Sequence, residues 1–309
     1  MSSSKIIVLG SVNTDLVIRG PRLPAPGETV LGGEFYRAHG GKGANQAVAA
    51  ARAFADPVTF IGAVGDDAFG REALAHFARE NLDCRYLKTV PGEASGVALI
   101  LVDRQGENLI SVASGANLHV TPEDVDAVSE ETFRNARVFL TCLESPLESV
   151  ARGLSRARRS GLLTILNPAP ADDAVCRNGT LALVDVITPN EGEAAALTGI
   201  DFDDRPGAVA AARRLQEMGC RSCVITLGAR GCLVVEETDT WVEGRSVQAV
   251  DTTAAGDAFN GALAVALSEG RTLVEAAHWA NRAAAVAVTR PGAQPSLPGR
   301  KEIDSFGGA

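Results

Sequence analysis

The chain has 309 residues, 46% of them hydrophobic, so it can bury a large core as one domain or about two. Its formal net charge of −9 argues against nucleic acid or an anionic membrane as a partner. No run of about 18 apolar residues could span a bilayer, and the first apolar run, residues 6–9, is too short for a secretion signal. We therefore expect a cytoplasmic protein.

Short apolar runs alternate with helical patterns along most of the chain. The runs, which are typical of buried strands, lie at 6–10, 58–62, 138–143, 162–166, 184–188, 223–228 and 232–237. The helical patterns lie at 44–54, 69–80, 147–160, 191–198, 208–218 and 274–288. This alternation predicts βαβ units and an α/β fold with a largely parallel sheet. Ligands should then bind beyond the carboxyl ends of the strands.

Two stretches break the alternation. Residues 13–39 and roughly 96–113 indicate strands without helices between them, and residues 103–108 have the composition of a hairpin turn. We expect these strands to form a small sheet that covers one end of the main domain as a lid. The tail after Pro298 is polar and rich in glycine, and no regular structure is predicted there.

The six cysteines are too few, in a chain of this length, for a disulfide framework. Cys220 and Cys223 form a CRSC motif between a helical pattern and a strand. A redox pair usually opens a helix, and a zinc site would need a second pair. We expect buried thiols.

The segment DTTAAGDAFNGAL, residues 251–263, enters a helix near Gly256 or Asp257. Ala254, Ala255 and Gly256 have almost no side chain, so their amides could face an anion at the helix N-terminus. Asp257 could be a general base beside that anion. It could equally be an ordinary helix cap, and by itself the segment favours the cap.

The segment HGGKGANQAVAAAR, residues 39–52, is a glycine turn that opens an alanine-rich helix. It is not a Walker loop, because Gly43 stands where Ser or Thr is required. Lys42 and Asn45 could reach a polar ligand, although a solvated lysine after a glycine turn is the plainer interpretation. Asn13 and Asp15 are two residues apart, so they share one face of a strand. They could bind a hydroxyl-rich ligand together, and an exposed strand end would explain them equally well.

Two further turns follow predicted strands. Asn190 and Glu193 are three apart at the start of a helix, which is the spacing of a capping box. Glu193 could instead lie near a phosphate-bound magnesium ion. Residues 226–231, TLGARG, could pass close to a nucleotide, but a single glycine turn is weak evidence.

Together and in this order, these motifs resemble the PfkB-type carbohydrate kinases, and GGKGAN with NTD resembles the ribokinase branch. The resemblance extends over residues 5–306, including GDDAFG, LESP, NPAPA and TRPGAQPS. It implies one ribokinase-like domain, residues 1–309: a three-layer α/β/α sandwich with a mostly parallel sheet and a small β lid from 13–39 and 96–113. It also implies phosphorylation of the ribose 5-hydroxyl by ATP, with Mg²⁺ on the nucleotide and K⁺ as an activating cation.

The resemblance assigns roles to individual residues. Asp257 corresponds to the base, Ala254, Ala255 and Gly256 to an anion hole, and Lys42 would stabilise charge on the transferring phosphoryl group. The implied sugar ligands are Asn13, Asp15, Gly41, Lys42, Gly43, Asn45, Glu144 and Asp257. The implied nucleotide side is Asn190, Glu193, Thr226, Gly228, Gly231, Gly256 and Asn281, where many relatives have His at the last position. The implied cation ligands, several through carbonyls, are Asp251, Thr253, Ala287, Arg290, Gly292 and Ser296.

Three alternatives remain open at the level of sequence. A related kinase could act on deoxyribose, fructose or a nucleoside, although Asn13, Asp15 and Glu144 favour a small polyhydroxyl sugar. A non-catalytic sugar or nucleotide sensor would not require Asp257. A Rossmann dehydrogenase is disfavoured because GAVGDDAFG lacks the G-x-G-x-x-G spacing.

The apolar faces and open edges expected for a lid also predict a homodimer through it.

Overall fold

A computed structural model describes residues 5–307. Its main sheet has nine strands: β1 (Ile6–Leu9), β4 (Val58–Gly65), β5 (Leu82–Val90), β8 (Val138–Cys142), β9 (Leu163–Asn167), β10 (Val186–Ile187), β11 (Ser222–Thr226), β12 (Gly231–Val235) and β13 (Asp239–Glu243). Their order is β13-β12-β11-β10-β9-β8-β1-β4-β5. Neighbours from β5 to β11 are parallel, and β12 and β13 extend the sheet as antiparallel strands.

Eleven α-helices connect and flank the described strands. They are α1 (Lys42–Ala53), α2 (Ala68–Phe77), α3 (Pro122–Asp126), α4 (Glu130–Asn135), α5 (Leu147–Arg159), α6 (Ala174–Arg177), α7 (Glu191–Thr198), α8 (Arg205–Glu217), α9 (Ala255–Ser268), α10 (Leu273–Ala287) and α11 (Arg300–Ser305). No helix between residues 5 and 307 is long and apolar enough to cross a bilayer.

The two faces of the main sheet bury separate helix layers. Along β1, Ile6 and Val8 pack in a core that includes α1, α9 and α10, whereas Ile7 and Leu9 pack in a core that includes α5 and α8. Alternate side chains of a strand point to opposite faces, so a strand covered on both sides must be apolar throughout. The fold is the three-layer α/β/α sandwich predicted from the sequence.

A second sheet of four strands lies apart from the first. It consists of β2 (Asn13–Arg19), β3 (Glu34–Gly40), β6 (Gly96–Val102) and β7 (Asn108–Ala113), in the order β3-β2-β6-β7. β2 pairs with β6 in parallel, and both outer pairs are antiparallel. As predicted, residues 103–107 turn the chain between β6 and β7, because the Asp103 carboxylate accepts the amides of Gln105 and Glu107.

The structure differs from the sequence predictions at the sheet edges and in the tail. β5 and β13 have few buried side chains and were missed by a search for apolar runs. The tail forms α11, where Ile303 is 1% exposed and Asp304 accepts a hydrogen bond from the Trp279 indole at 2.8 Å. The tail, for which the sequence predicted no regular structure, is therefore helical over Arg300–Ser305. All six cysteines are free thiols, and Cys220 and Cys223 are buried, as predicted.

Candidate active site

The glycine turn before α1 lies against the carboxyl end of β1. Gly41 has φ +88°, and a Cβ atom on Gly43 would lie 2.4 Å from the carbonyl carbon of Gly10, so neither position accepts a larger residue without strain. Glu144, just beyond β8, accepts the Lys42 amide at 2.9 Å and the Ser11 hydroxyl at 2.5 Å. This carboxylate therefore fixes the start of α1 and with it the position of Lys42.

Asp257 lies in the first turn of α9, but it does not cap the helix. The N-cap residue is Ala254, and no side chain caps this end. The Asp257 carboxylate turns toward α1, where Oδ2 accepts Asn45 Nδ2 at 3.0 Å and Oδ1 accepts Gln46 Nε2 at 3.1 Å. The capping interpretation of this residue is wrong, because two amides from another helix compete for its oxygens.

The backbone before Asp257 has an unusual conformation. Ala254 has φ +59°, the single positive φ outside glycine among residues 5–307. A left-handed conformation costs a non-glycine residue roughly 1–2 kcal/mol, and such strain is concentrated at functional sites. The Ala255 amide donates to Thr252 O at 3.2 Å, so it is already engaged in a turn. The Gly256 amide lies in the first helical turn, where the helix itself supplies no acceptor.

Three charged side chains, those of Asp257, Lys42 and Glu144, influence one another around this turn. Burial raises the pKa of Asp257, while Lys42 and the amides of Asn45 and Gln46 oppose the rise. Burial would lower the pKa of Lys42, but the carboxylates of Asp257 and Glu144 outweigh it and raise that pKa. No carboxylate within residues 5–307 forms a direct ion pair with Lys42, so its ammonium remains available to an anion.

A polar cavity joins the predicted catalytic residues to part of the predicted nucleotide side. Its volume is about 200 Å³, smaller than the roughly 300–1,000 Å³ of pockets that enclose a whole drug-sized ligand. This size fits the phosphate end of a nucleotide. The predicted residues that line it are Lys42, Asn190, Glu193, Thr226, Ala254, Ala255, Gly256 and Asp257.

The same cavity has residues that the sequence interpretation missed. They are Asn167, Ala169, Thr188, Thr252 and Asn260. Asn167 and Thr188 are polar residues at the carboxyl ends of apolar strands. This pattern could have identified them from the sequence, because parallel strands place their carboxyl ends at one edge of the sheet, where ligands bind. Asn260 is buried within α9 and shows no such signal in the sequence.

Not every predicted nucleotide residue lines this cavity. Asn190 and Glu193 form the predicted capping box of α7: Asn190 Oδ1 accepts the Glu193 amide at 2.8 Å, and Glu193 Oε2 accepts the Asn190 amide at 2.9 Å. Gly228 and Gly231 flank a turn outside the cavity. Asn281 is 8% exposed and donates to Val242 O at 3.3 Å, so its amide faces β13.

A second cleft, of about 320 Å³, lies between the inner face of the small sheet and residues 249–253 and 292–293. It contains Asp15 and meets the first cavity at Thr252, which lines both. Burial, Glu144 and Asp257 raise the pKa of Asp15 to about 7. Tyr36, which was not among the predicted site residues, also lines the cleft.

Asn13 was predicted beside Asp15 as a sugar ligand. It is 4% exposed, and its Oδ1 accepts Asn117 Nδ2 at 2.8 Å. Asn117 also bonds both backbone groups of Val12. Part of the hydrogen-bonding capacity of Asn13 therefore serves to hold the segment between β1 and β2 against the turn at residues 115–119.

The predicted cation residues converge on one loop pair. The Asp251 carboxylate accepts the Thr253 amide at 2.9 Å and the Gly292 amide at 2.8 Å. Ala287 ends α10, and its carbonyl accepts the Arg290 amide at 3.1 Å. Ser296 is fully buried, and its hydroxyl donates to Ala293 O at 2.7 Å. The Arg290 guanidinium bonds Glu302, so only its backbone is available to a cation.

Known proteins are similar to this chain over almost all of its length. A model of the pfkB family of carbohydrate kinases matches residues 3–300. The ribokinase of Haemophilus influenzae is 43% identical over 302 residues, 97% of each chain. A structure of ribokinase from Giardia lamblia matches with a TM-score of 0.90 and 32% identity, covering 98% of both chains. A structure of Arabidopsis thaliana ribokinase complexed with ribose and ATP matches with a TM-score of 0.87 and 29% identity over 98% of both chains.

The family match spans far more than half of the chain. It is the family that the order of motifs in the sequence resembles. The chain therefore belongs to the pfkB family of carbohydrate kinases.

Proposed function

We propose that this protein is an ATP-dependent kinase that phosphorylates the 5-hydroxyl of D-ribose, giving ribose 5-phosphate and ADP. The observation that carries the proposal is the position of Asp257. Its carboxylate lines the polar cavity that fits phosphates, and its charge acts on Asp15 in the cleft of the small sheet, which meets that cavity at Thr252. A sugar in the cleft and a triphosphate in the cavity would meet at this carboxylate. The ribokinase relatives support the choice of ribose.

Asp257 acts as the general base in this proposal. As the sugar oxygen attacks the γ-phosphorus, a new P–O bond forms, the bond to the β-phosphate oxygen breaks, and ADP leaves. The hydroxyl proton passes to Asp257. Burial raises the pKa of this carboxylate above that of an exposed Asp, which makes its ionised form a better proton acceptor.

Lys42 and the backbone amides of Ala254 and Gly256 stabilise the charge on the transferring phosphoryl oxygens, whereas the Ala255 amide already donates to Thr252 O. Phosphoryl transfer depends mainly on positioning and on such fixed charge. The strained Ala254 directs the first turn of α9 into the cavity, and Lys42 is not neutralised by an ion pair. The small sheet acts as a lid that excludes water, which would otherwise compete with the sugar for the phosphoryl group.

Magnesium enters this site with ATP. No cluster of three or more His, Cys, Asp or Glu side chains that could hold a metal occurs among residues 5–307. This fits Mg²⁺, which commonly uses one or two carboxylates together with substrate phosphates. Glu193 lines the cavity and is the carboxylate placed to contact the ion or its water. Bound magnesium would neutralise phosphate charge.

A monovalent cation, K⁺, binds between the 251–253 and 287–296 segments. The Asp251 carboxylate suits a hard cation, and the other ligands implied by the family resemblance are mostly carbonyl groups of neighbouring turns. Asp251 joins these turns through the amides of Thr253 and Gly292. Because Thr253 precedes Ala254, a cation here would steady the loop that shapes the anion site.

The outer face of the small sheet pairs with a second copy of the chain. Ile18, Phe35, Leu99 and Leu109 are 44%, 63%, 55% and 51% exposed, and all four lie on that face. An apolar patch of this kind is unusual on a monomer. A Leu99→Asp protein should sediment as a monomer, whereas a dimer of unchanged stability would contradict this interface.

We also propose a cytoplasmic location, which the six free thiols support.

The activity is tested by measuring ADP formation with ribose, deoxyribose, fructose and adenosine, each with and without K⁺. We expect the highest kcat/KM with ribose. The adenosine arm matters because Tyr36 could stack on a base. Turnover of none of the four, by protein that binds ATP, would favour a sensor and contradict the proposed function.

A further inference from the structure

The Asp257 carboxylate belongs to a buried hydrogen-bond network that extends beneath the phosphate cavity. Gln46 is fully buried, and its Nε2 donates both to Asp257 Oδ1 at 3.1 Å and to Asn167 Oδ1 at 3.0 Å. Asn167 Nδ2 donates to Thr188 O at 3.0 Å. The Thr188 hydroxyl donates to Asn260 Oδ1 at 2.6 Å. The network thus starts at the proposed base and crosses the carboxyl ends of two strands.

The network returns to the helix on which it began. Asn260 Nδ2 donates to Gly256 O at 2.8 Å, one residue before Asp257. The side chain of the base and the backbone of the first turn of α9 are therefore joined by a closed path. Its members come from α1, β9, the end of β10, and α9 itself.

Backbone carbonyls fix the direction of every amide along this path. A carbonyl can only accept, so Asn167 must point its NH₂ group at Thr188 O and its oxygen at Gln46. Gln46 must then present its NH₂ group to that oxygen, and the same group faces Asp257. In the same way Gly256 O orients Asn260. The amide that meets the carboxylate is thus a donor.

Gln46 makes this arrangement at a cost. Its Oε1 is buried and has no hydrogen-bond partner among the described residues. A buried acceptor without a partner destabilises a folded protein, and most such groups are paired. An apolar side chain of similar length would avoid the unpaired oxygen but could not donate to Asp257. Glutamine at position 46 therefore supplies a hydrogen bond to the Asp257 carboxylate, although its own oxygen is left unpaired.

We propose that Gln46 is a positioning residue that holds the Asp257 carboxylate in one orientation and favours its ionised form. Through Asn167, Thr188 and Asn260, it ties that orientation to the first turn of α9. The base and the anion-binding backbone then keep a constant relative geometry during phosphoryl transfer. This inference rests on the proposed role of Asp257 as the base.

The test compares the pH dependence of the rate of phosphoryl transfer in the wild type and in Gln46→Met, measured in single turnovers with saturating ribose and with enzyme in excess over ATP. Methionine keeps the chain length and removes both donors. We expect the apparent pKa of the acidic limb to rise by about one to two units, because a hydrogen bond to a charged group contributes about that much. KM for ribose and for ATP should change less than about threefold, since Gln46 is buried and does not line either cavity.

Other charged or titratable groups also face Asp257 and remain in every variant. They are Lys42 on α1, Asp15 on β2, Cys142 on β8, Glu144 beyond β8 and Glu193 on α7. A difference between variants therefore isolates Gln46. Gln216→Met is the matched control, since Gln216 Nε2 donates to the Arg221 and Glu236 carbonyls beside α8, away from the site. It should lower the melting temperature and leave the acidic limb unmoved.

Gln46→Glu provides a second variant with the same volume. The ionised carboxylate that this substitution introduces would repel Asp257, so the acidic limb should rise further than in Gln46→Met. An unmoved acidic limb in either folded variant would overturn the inference while leaving the kinase activity intact. A rise in the ribose KM of more than about tenfold with no change in the limb would make Gln46 part of the sugar pocket and would also overturn it. A wild type without sugar kinase activity would overturn the proposed function as well.

Discussion

Asp15 lies in the cleft with no hydrogen-bond donor among the described residues, near the carboxylates of Glu144 and Asp257. Its pKa is raised from 3.8 to about 7, mainly by burial. Between pH 3.8 and about pH 7, Asp15 keeps its proton in the folded protein but has lost it in the unfolded chain. Stability must therefore fall as the pH rises through this window, and the penalty is complete above about pH 7. Replacing Asp15 by the isosteric Asn removes the charge.

The size of the effect follows from the shift of the pKa. Each unit corresponds to about 1.4 kcal/mol, so ionised Asp15 should cost the wild type roughly 4 kcal/mol at pH 8 and roughly 1.5 kcal/mol at pH 5. Asp15→Asn should raise the free energy of unfolding by these amounts. The gain at pH 8 should exceed the gain at pH 5 by about 2.5 kcal/mol.

The assay is urea unfolding at both pH values without sugar or nucleotide, because a ligand would stabilise the folded state. Asp67→Asn is a control of opposite sign. Burial alone would raise the pKa of Asp67, but hydrogen bonds from Gly70 and Ser95 lower it, so this carboxylate stabilises the fold above its unfolded pKa and its replacement should destabilise. A gain for Asp15→Asn that is equal at both pH values, or a loss, would refute the reasoning.

The same variant should bind its substrate less well. A hydrogen bond between an ionised carboxylate and a sugar hydroxyl contributes about 1.5–3 kcal/mol, so KM for ribose should rise about tenfold or more. Higher stability together with weaker binding would indicate that the protein keeps Asp15 for recognition. An unchanged KM would remove Asp15 from the proposed sugar site.

Three further predictions concern the base, the cation site and the glycine turn. Asp257→Asn should lower kcat by roughly 10²–10⁴ while ribose binding, followed by calorimetry, survives; near-normal turnover would end its assignment as the base. Asp251→Ala should weaken the stimulation of activity by K⁺, and an unchanged response to K⁺ would show that the cation site is misplaced. Gly43→Ala should lower the melting temperature by several degrees or prevent folding, because its Cβ would overlap the Gly10 backbone. Gly192→Ala, where the nearest atom is the Asn190 side-chain oxygen at 3.6 Å, should be neutral or stabilising, and equal effects of both substitutions would contradict the steric argument.

The central strands were predictable because burial on both faces requires continuous apolar sequence. β1 and β8 are buried throughout, and each appears as an apolar run. The edge strands β5 and β13 face solvent along part of their length, so their sequences mix polar and apolar residues and resemble loops. α11 was missed for a similar reason. Its single buried apolar side chain, Ile303, gives no helical stripe.

The sequence by itself determined the fold class, the glycine turn at Lys42 and the capping box of α7, because these depend on local pattern and backbone preference. It also brought Asp257 forward as a candidate base, through the order of motifs. Only the tertiary structure decided what Asp257 contacts. Its hydrogen-bond partners, Asn45 and Gln46, lie more than 200 residues away. No local pattern encodes such contacts, because they arise where α1 and α9 pack together on one face of the sheet.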